Sequence, residues 1–294
     1  MSSSYESAKA IFAEAIFKAL KPYKERTEIA IGETIERFGV KNGLRDACEY
    51  ALKAGGKRFR PAIVYMITES LHSKNDVTDA ALAVEFFHTA SLIADDLPCM
   101  DNDDFRRGVP TTHKVYGESV AILASFSLTA AAFEYIAANS KVRPDVCQLA
   151  IDIASKLNGV NGLLGGQYMD LFPSDITLEK LYEVIEKKTV TLFELSFVLG
   201  WLFGGGDLKL LPEIKSLAFH FGSAFQIIDD LDDMEKDKAA GRVINYALLF
   251  GKKEAVGAVK EHIAQFKKLL TLLKIKSESL ELLSSGMDTI TSAF

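Results

Sequence analysis

The sequence predicts an all-α protein, a single large helical bundle, and three observations carry that expectation. Apolar residues recur at three- and four-residue spacing inside long proline-free blocks. Strict alternation over five or more residues, the mark of a half-buried strand, is hard to find. The glycine groups Gly55-Gly56, Gly165-Gly166 and Gly204–Gly206 sit where helices would end or hinge. Taken in order, Ile11, Ala15, Ile16, Ala19 and Leu20 set the first helical face, Leu178, Leu181, Tyr182 and Ile185 another, and Ile263, Phe266, Leu269, Leu270 and Leu273 a third. The seven prolines (22, 61, 98, 110, 144, 173, 212) punctuate the blocks, and none follows Pro212. The expectation is about ten helices. Segments near Ala80–Ala94, Val120–Ala137 and Leu192–Phe203 are apolar on nearly every side and should be buried among others. Such a centre can hold a long apolar ligand or simply a filled core. Residues 1–294 show no linker, low-complexity tract or repeat and are read as one domain, near the ~250–300-residue ceiling of one hydrophobic core.

Composition narrows the functional classes. Hydrophobic residues are 48% and charged residues 25% of the chain, which excludes a disordered or collagen-like protein. The net charge of −6 argues against nucleic-acid and anionic-membrane binding, both of which need a basic field. Cys48, Cys99 and Cys147 form no zinc pattern and suit a reducing compartment. Met1–Lys24 is broken by charges and lacks a signal peptide's apolar run. The charge-free stretch Ser119–Phe133 is too short to span a bilayer, so no transmembrane segment is expected and the cytoplasm is the expected location.

Two acidic clusters stand out, each closing an apolar helical run. The first is SLIADDLPCMDNDDFRRG, with Asp95, Asp96 and Asp101; the second is FQIIDDLDD, with Asp229, Asp230 and Asp233. On a helix Asp229 and Asp233 are i,i+4 neighbours flanked by Asp230, so their charges repel unless a cation lies between them. Hard oxygen ligands in that number suit Mg²⁺, which completes its shell with water and substrate phosphate. The bland alternative is a solvated acidic helix end, but carboxylates favour helix N-termini and these sit at C-terminal ends. An EF-hand reading from Asp101 fails, because the sixth position is Arg106 and the twelfth Thr112.

Basic residues gather in GGKRFRP (55–61) and at Arg106-Arg107, the positive anchors a diphosphate needs beside a carboxylate–metal site. Taken alone, such groups are ordinary surface charge. No Walker loop follows Gly204–Gly206, no Ser-His-Asp or Cys-His context is visible, and His88 taken alone reads as a core histidine.

At these residues the sequence resembles the trans-isoprenyl diphosphate synthases, most closely geranylgeranyl and farnesyl diphosphate synthases. The match runs from about Gly55 to Asp237 through GGKRFRP (55–61), SLIADDLPCMDNDDFRRGVPTTHKVYGE (91–118), GGQYMDL (165–171), KKT (187–189) and FQIIDDLDD (225–233). The resemblance implies the isoprenoid-synthase fold, an all-α bundle around a deep apolar cavity, in a homodimer. It implies prenyl transfer: isopentenyl diphosphate attacks the allylic carbocation left when an allylic diphosphate departs. Several Mg²⁺ ions would be held by Asp95, Asp96, Asp101, Asp229, Asp230 and Asp233. By the same resemblance Arg106 and Lys188 hold the allylic diphosphate, Lys57, Arg60, His88 and Arg107 hold isopentenyl diphosphate, and Thr189 and Gln226 lie near the developing cation.

The sequence departs from the family pattern in two places. Ala94 stands where relatives commonly carry His. The segment after Asp233, MEKDKAAGRVINYALLFGKKEA, is shorter than usual and lacks the family's two loop lysines; Arg242 is the candidate for one, Lys236 or Lys238 for the other. A non-catalytic regulatory subunit and a terpene cyclase are the competing classes; the two intact aspartate clusters oppose the first, and Lys57, Arg60 and Arg107 oppose the second. Product length follows from the helix before Asp95. Ala90 stands where relatives that stop at C15 place an aromatic floor, and Phe87 lies three residues earlier. Three residues rise ~4.5 Å, about one isoprene unit, so C20 geranylgeranyl diphosphate is the expected product. The alternative is that Phe126 or Phe133 of the next apolar helix sets the length, and farnesyl diphosphate is the competing product.

Overall fold

A computed structural model describes residues 3–173, 177–239 and 241–294. Its helices are α1 (Ser3–Thr34), α2 (Gly43–Lys53), α3 (Phe59–Ser70), α4 (Thr78–Asp95), α5 (Thr112–Tyr116), α6 (Glu118–Ala138) and α7 (Pro144–Asn158). They continue with α8 (Leu163–Leu171), α9 (Leu178–Ile185), α10 (Thr191–Gly204), α11 (Leu211–Asp232), α12 (Met234–Ala239), α13 (Tyr246–Phe250), α14 (Lys252–Leu272) and α15 (Glu278–Thr291). The described residues thus hold more helices than the ten expected, because short ones such as α5, α12 and α13 carry too few turns for a periodicity. The strands described are a two-residue antiparallel pair, β1 (Phe105–Arg106) and β2 (Val109–Pro110), with Arg106 opposite Val109.

Local chemistry sets the boundaries. Asn42, Thr177, Asn245 and Ser277 cap α2, α9, α13 and α15 through their side-chain oxygens. Pro144 and Pro212 lie in the first turns of α7 and α11, where the missing N–H costs nothing. Pro22 does not end a helix; α1 carries it internally at the loss of one backbone hydrogen bond.

One hydrophobic core runs from Tyr5 to Ile290. At its centre α10 is buried at every position but Glu194, as its largely apolar sequence requires, and α3, α4, α7 and α11 pack around it. A buried ion pair ties this frame together: Arg58 bonds Glu85 on α4 at 2.6 Å and Glu28 on α1 at 2.8 Å. The chain after α4 and the end of α11 meet at one cleft, Asp101 coming from the first and Asp229, Asp230 and Asp233 from the second.

α6 corrects two expectations. Its helical stretch reaches beyond the charge-free run: Glu118–Lys141, with mean hydropathy 1.7, is long and apolar enough to cross a membrane by length and composition alone. Nor is it buried all round. Ala121, Ala124, Leu128 and Ala132 pack inward, while Leu123 is 51% and Phe126 67% exposed. Phe126 therefore cannot form the floor of an internal cavity.

Candidate active site

Two neighbouring hollows of opposite charge make up the site. The first is a cleft of about 570 Å³ lined by Asp101, Lys188, Thr189, Gln226, Asp229, Asp230, Asp233 and Arg242. The second, about 640 Å³, is lined by Lys57, Arg60, His88 and Arg107 with Phe193 and Phe225.

The first cluster is folded by the chain after α4. The Asp101 N–H donates to the Asp95 carbonyl at 2.9 Å, closing a loop that brings Asp101 back beside Asp95. Burial and the Asp101 charge push the Asp95 carboxyl up to about 6, against the pull of Lys188. Asp96 is buried and its Oδ1 accepts from Arg106 Nε at 2.6 Å, so beside the metal role expected of it the carboxylate fixes an arginine. Arg106, paired also with Asp103 at 3.4 Å, stands close enough to Asp95 for its charge to act on that carboxyl, although neither residue lines the cleft itself. The β1–β2 turn explains the division between the two arginines. Arg107 and Gly108 both take positive φ, the two-residue hairpin geometry, which sends Arg107 away from Arg106 and into the basic hollow.

In the second cluster, Asp229, Asp233 and Asp237 form an i,i+4,i+8 stripe along α11 and α12, and all three line the cleft. Asp237 was missed by the motif reading, although continuing the four-residue spacing past Asp233 reaches it. Its Oδ2 accepts from Asn245 Nδ2 at 3.0 Å, while Oδ1 is buried without a hydrogen bond, 3.7 Å from Arg242 Nε. Desolvation and the Asp233 charge raise the Asp229 carboxyl, and Lys57 opposes them. Asp230 is buried and engaged at both oxygens: Oδ1 accepts from Gln226 Nε2 and Oδ2 from the Tyr246 N–H, each at 2.8 Å. Burial holds its carboxyl up at about 6. It anchors α13 and Gln226 and also lines the cleft, with one lone pair on each oxygen left for the metal role expected of it.

Lys188 and Thr189 enter the cleft from a single π-helical turn, Glu186–Val190, between α9 and α10. Gly166 of α8 lets that turn approach; a Cβ there would lie 2.7 Å from the Lys187 carbonyl carbon. Lys188 pairs with Asp170, a second cleft residue that the motif reading left unassigned. Thr189 Oγ1 donates to Gln226 Oε1 at 2.7 Å, completing a chain Thr189–Gln226–Asp230.

The basic hollow is electrostatically unfinished. Arg60 lies over the Phe193 ring at 4.9 Å, its Nε is buried without a partner, and burial lowers it to about 10. Arg107 bonds the Gly55 carbonyl, and its guanidinium fills the space a Cβ on Gly56 would occupy. Both arginines reach His88 Nε2, at 3.4 and 3.5 Å, and with burial they hold His88 neutral, far below its usual range. His88 thus accepts from the arginines and orients them.

Phe87 and Ala90 are not brought to the open cleft. They are 2% and 3% exposed within α4, where the Phe87 ring meets Phe133 edge-on at 5.0 Å.

Among the described residues no three His, Cys, Asp or Glu side chains converge to hold a metal by themselves. The donor chemistry nonetheless fits Mg²⁺: carboxylates from the loop after α4 and from α11 and α12 face one cleft, one buried oxygen (Asp237 Oδ1) lacks a hydrogen bond, and Mg²⁺ takes few protein ligands, leaving the rest of its shell to water and phosphate.

The sequence profile of the family described as polyprenyl synthetase matches residues 41–271. Geranylgeranyl pyrophosphate synthase 7 of Arabidopsis thaliana, a chloroplastic protein, is 41% identical over 210 residues, which are 68% of this chain and 60% of that relative's length. Farnesyl diphosphate synthase of Geobacillus stearothermophilus is 39% identical over 221 residues, 74% of each chain. The crystal structure of geranyltransferase from Legionella pneumophila superposes with a TM-score of 0.81 at 27% identity, covering 97% of this chain and 98% of that one. With the profile spanning most of the chain and the fold shared end to end, the chain belongs to the polyprenyl synthetase family.

Proposed function

We propose that this chain is a Mg²⁺-dependent short-chain trans-prenyltransferase that joins isopentenyl diphosphate to an allylic diphosphate, with C20 geranylgeranyl diphosphate as main product. The observation that carries the reading is the pairing of an aspartate cleft with an arginine-lined hollow, the second supplying uncompensated cations for a diphosphate that needs no metal. Relatives named as geranylgeranyl and farnesyl diphosphate synthases support the reaction class.

Asp95, Asp96, Asp101, Asp229, Asp230 and Asp233, with Asp237 beside them, would hold the metal. When bound, Mg²⁺ neutralises the allylic diphosphate so that it can leave with the bonding electron pair. Lys188, kept in place by Asp170, adds a cation to that group, and the Arg106–Asp96 pair fixes the loop that returns Asp101 to Asp95. Arg60 and Arg107, oriented by His88, hold the second diphosphate. Thr189 and Gln226 present oxygens to the carbocation left behind. The isopentenyl double bond attacks that carbon, a new carbon–carbon bond forms, and a proton is lost to the released diphosphate. Arg242, 3.7 Å from Asp237, is the candidate for the closing cation at the cleft mouth.

The C20 assignment rests on Ala90, whose small side chain leaves the Phe87–Phe133 pair as the floor one turn deeper. The reading extends to a homodimer, supported by the exposed apolar face of α6, and to a reducing, cytoplasmic setting, supported by three cysteines in no disulfide. The test is incubation of the purified protein with labelled isopentenyl diphosphate, an allylic primer and Mg²⁺. An elongated diphosphate of twenty carbons is expected. A cyclic hydrocarbon, or no turnover until another synthase is added, overturns the proposal; a C15 product overturns its chain length alone.

A further inference from the structure

The N-terminal helix lies outside the stretch that matches the family, yet it reaches the basic hollow. Glu28 on α1 is pinned by Arg58 Nε at 2.8 Å, which fixes the rotation of that helix. Lys24 stands one turn earlier, at the i,i+4 position on the same face, and lines the hollow. No hydrogen bond or ion pair engages it among the described residues. The local charges show why that matters. Arg58 is offset by Glu28 and Glu85, and Glu85, the carboxylate lining the hollow, is thereby used up. Lys57, Arg60 and Arg107 remain without carboxylate partners, and Lys24 is a fourth such cation at the rim.

We propose that Lys24 is an additional diphosphate-binding residue of the basic hollow and tightens its hold on isopentenyl diphosphate; this rests on reading the hollow as that substrate's site. A flexible lysine on an exposed helix adds a point charge to the anion without constraining its geometry, which the planar arginines already do.

Two measurements on Lys24→Ala, Lys24→Arg and the wild type test it. With Mg²⁺ present, Lys24→Ala should raise KM for isopentenyl diphosphate about tenfold, the scale of one charge-assisted contact, leaving kcat and the allylic KM within about twofold. Lys24→Arg should restore most of the loss. In calorimetry without Mg²⁺, where the aspartate cleft repels anions, the affinity for inorganic pyrophosphate should fall by a similar factor, with unchanged thermal melting. An unaltered pyrophosphate affinity, or equal effects on both substrates, overturns the assignment. If the wild type forms no elongated product yet loses pyrophosphate affinity on Lys24→Ala, the anion site stands and the prenyltransferase reading falls.

Discussion

Asp229 and Asp230 are adjacent in sequence, yet helical phase gives them different tasks. Both line the cleft beside Asp233 and Asp237, but each oxygen of Asp230 also accepts a hydrogen bond, from Gln226 and from the Tyr246 N–H. Alanine at the two positions should therefore fail differently. Asp229→Ala or Asp95→Ala should abolish turnover while the helical fold melts unchanged, since each removes a charge from a mutually repelling cluster. A variant retaining more than about a tenth of wild-type kcat, a barrier rise under ~1.4 kcal/mol, would remove that carboxylate from the metal site. Asp230→Ala should in addition lose about 1.5–3 kcal/mol of stability in urea unfolding, because buried donors are left without an acceptor. The motif named these aspartates without ranking them. What separates them is which neighbour each one also holds in place, and Tyr246, sixteen residues on, cannot be read from the motif. Asp96 is the parallel case at the end of α4: its arginine comes from a hairpin whose positive-φ turn no motif spacing announces.

Among the helices, α4 sets the geometry of product length and α11 carries an acid-sensitive contact. Along α4, Phe87→Ala should open the floor and lengthen the product beyond C20, and Ala90→Phe should shorten it to C15, as read by chromatography of the hydrolysed products. Because Phe133 closes on Phe87, Phe87→Ala together with Phe133→Ala should lengthen the product further. An unchanged distribution in both would move the floor elsewhere. The second contact joins α11 to α14: His220 and His262 share a hydrogen bond between their Nδ1 atoms at 2.9 Å. Burial depresses His262 from 6.5 to about 4, and the His220 charge adds to the effect. A histidine neutral in the fold but protonated in the unfolded chain stabilises above the unfolded value, and that stability is lost as pH falls from about 6.5 toward 4. The loss has a ceiling of about 3 kcal/mol. His262→Gln should flatten urea-unfolding stability across this window; an equally steep acid loss in the variant would assign it to the carboxylates. Element boundaries were legible where a proline, capping residue or glycine marks them. The π-helical turn that delivers Lys188 and Thr189 was not, since it follows from how closely Gly166 lets α8 approach.

For the molecule as a whole, the all-α class and the meeting of two aspartate-bearing helix ends were legible from periodicity and the two motifs. What sequence alone hid is which apolar surface stays outside. The run from Val120 to Ala137 is greasy on every side and predicts burial, yet α6 packs its alanines against α4 and turns Leu123 and Phe126 outward, at 51% and 67% exposure. Apolar residues at i and i+3 with no intrachain cover form the kind of patch that marks an interface. A second copy meeting the same face would bury both sets at once in an isologous contact. Light scattering should then give twice the chain mass for the wild type. Phe126→Glu puts a charge at the centre of that contact and should cost about 2 kcal/mol or more, roughly a thirtyfold weaker dimer, seen as a shift to the monomer mass on dilution with unchanged helical content. α6 also supports α4, and Phe133 of α6 packs on Phe87, so dissociation should loosen the floor and broaden the product distribution. A monomeric wild type, or a variant whose mass does not change on dilution, would assign the α6 face to something other than a second copy of this chain.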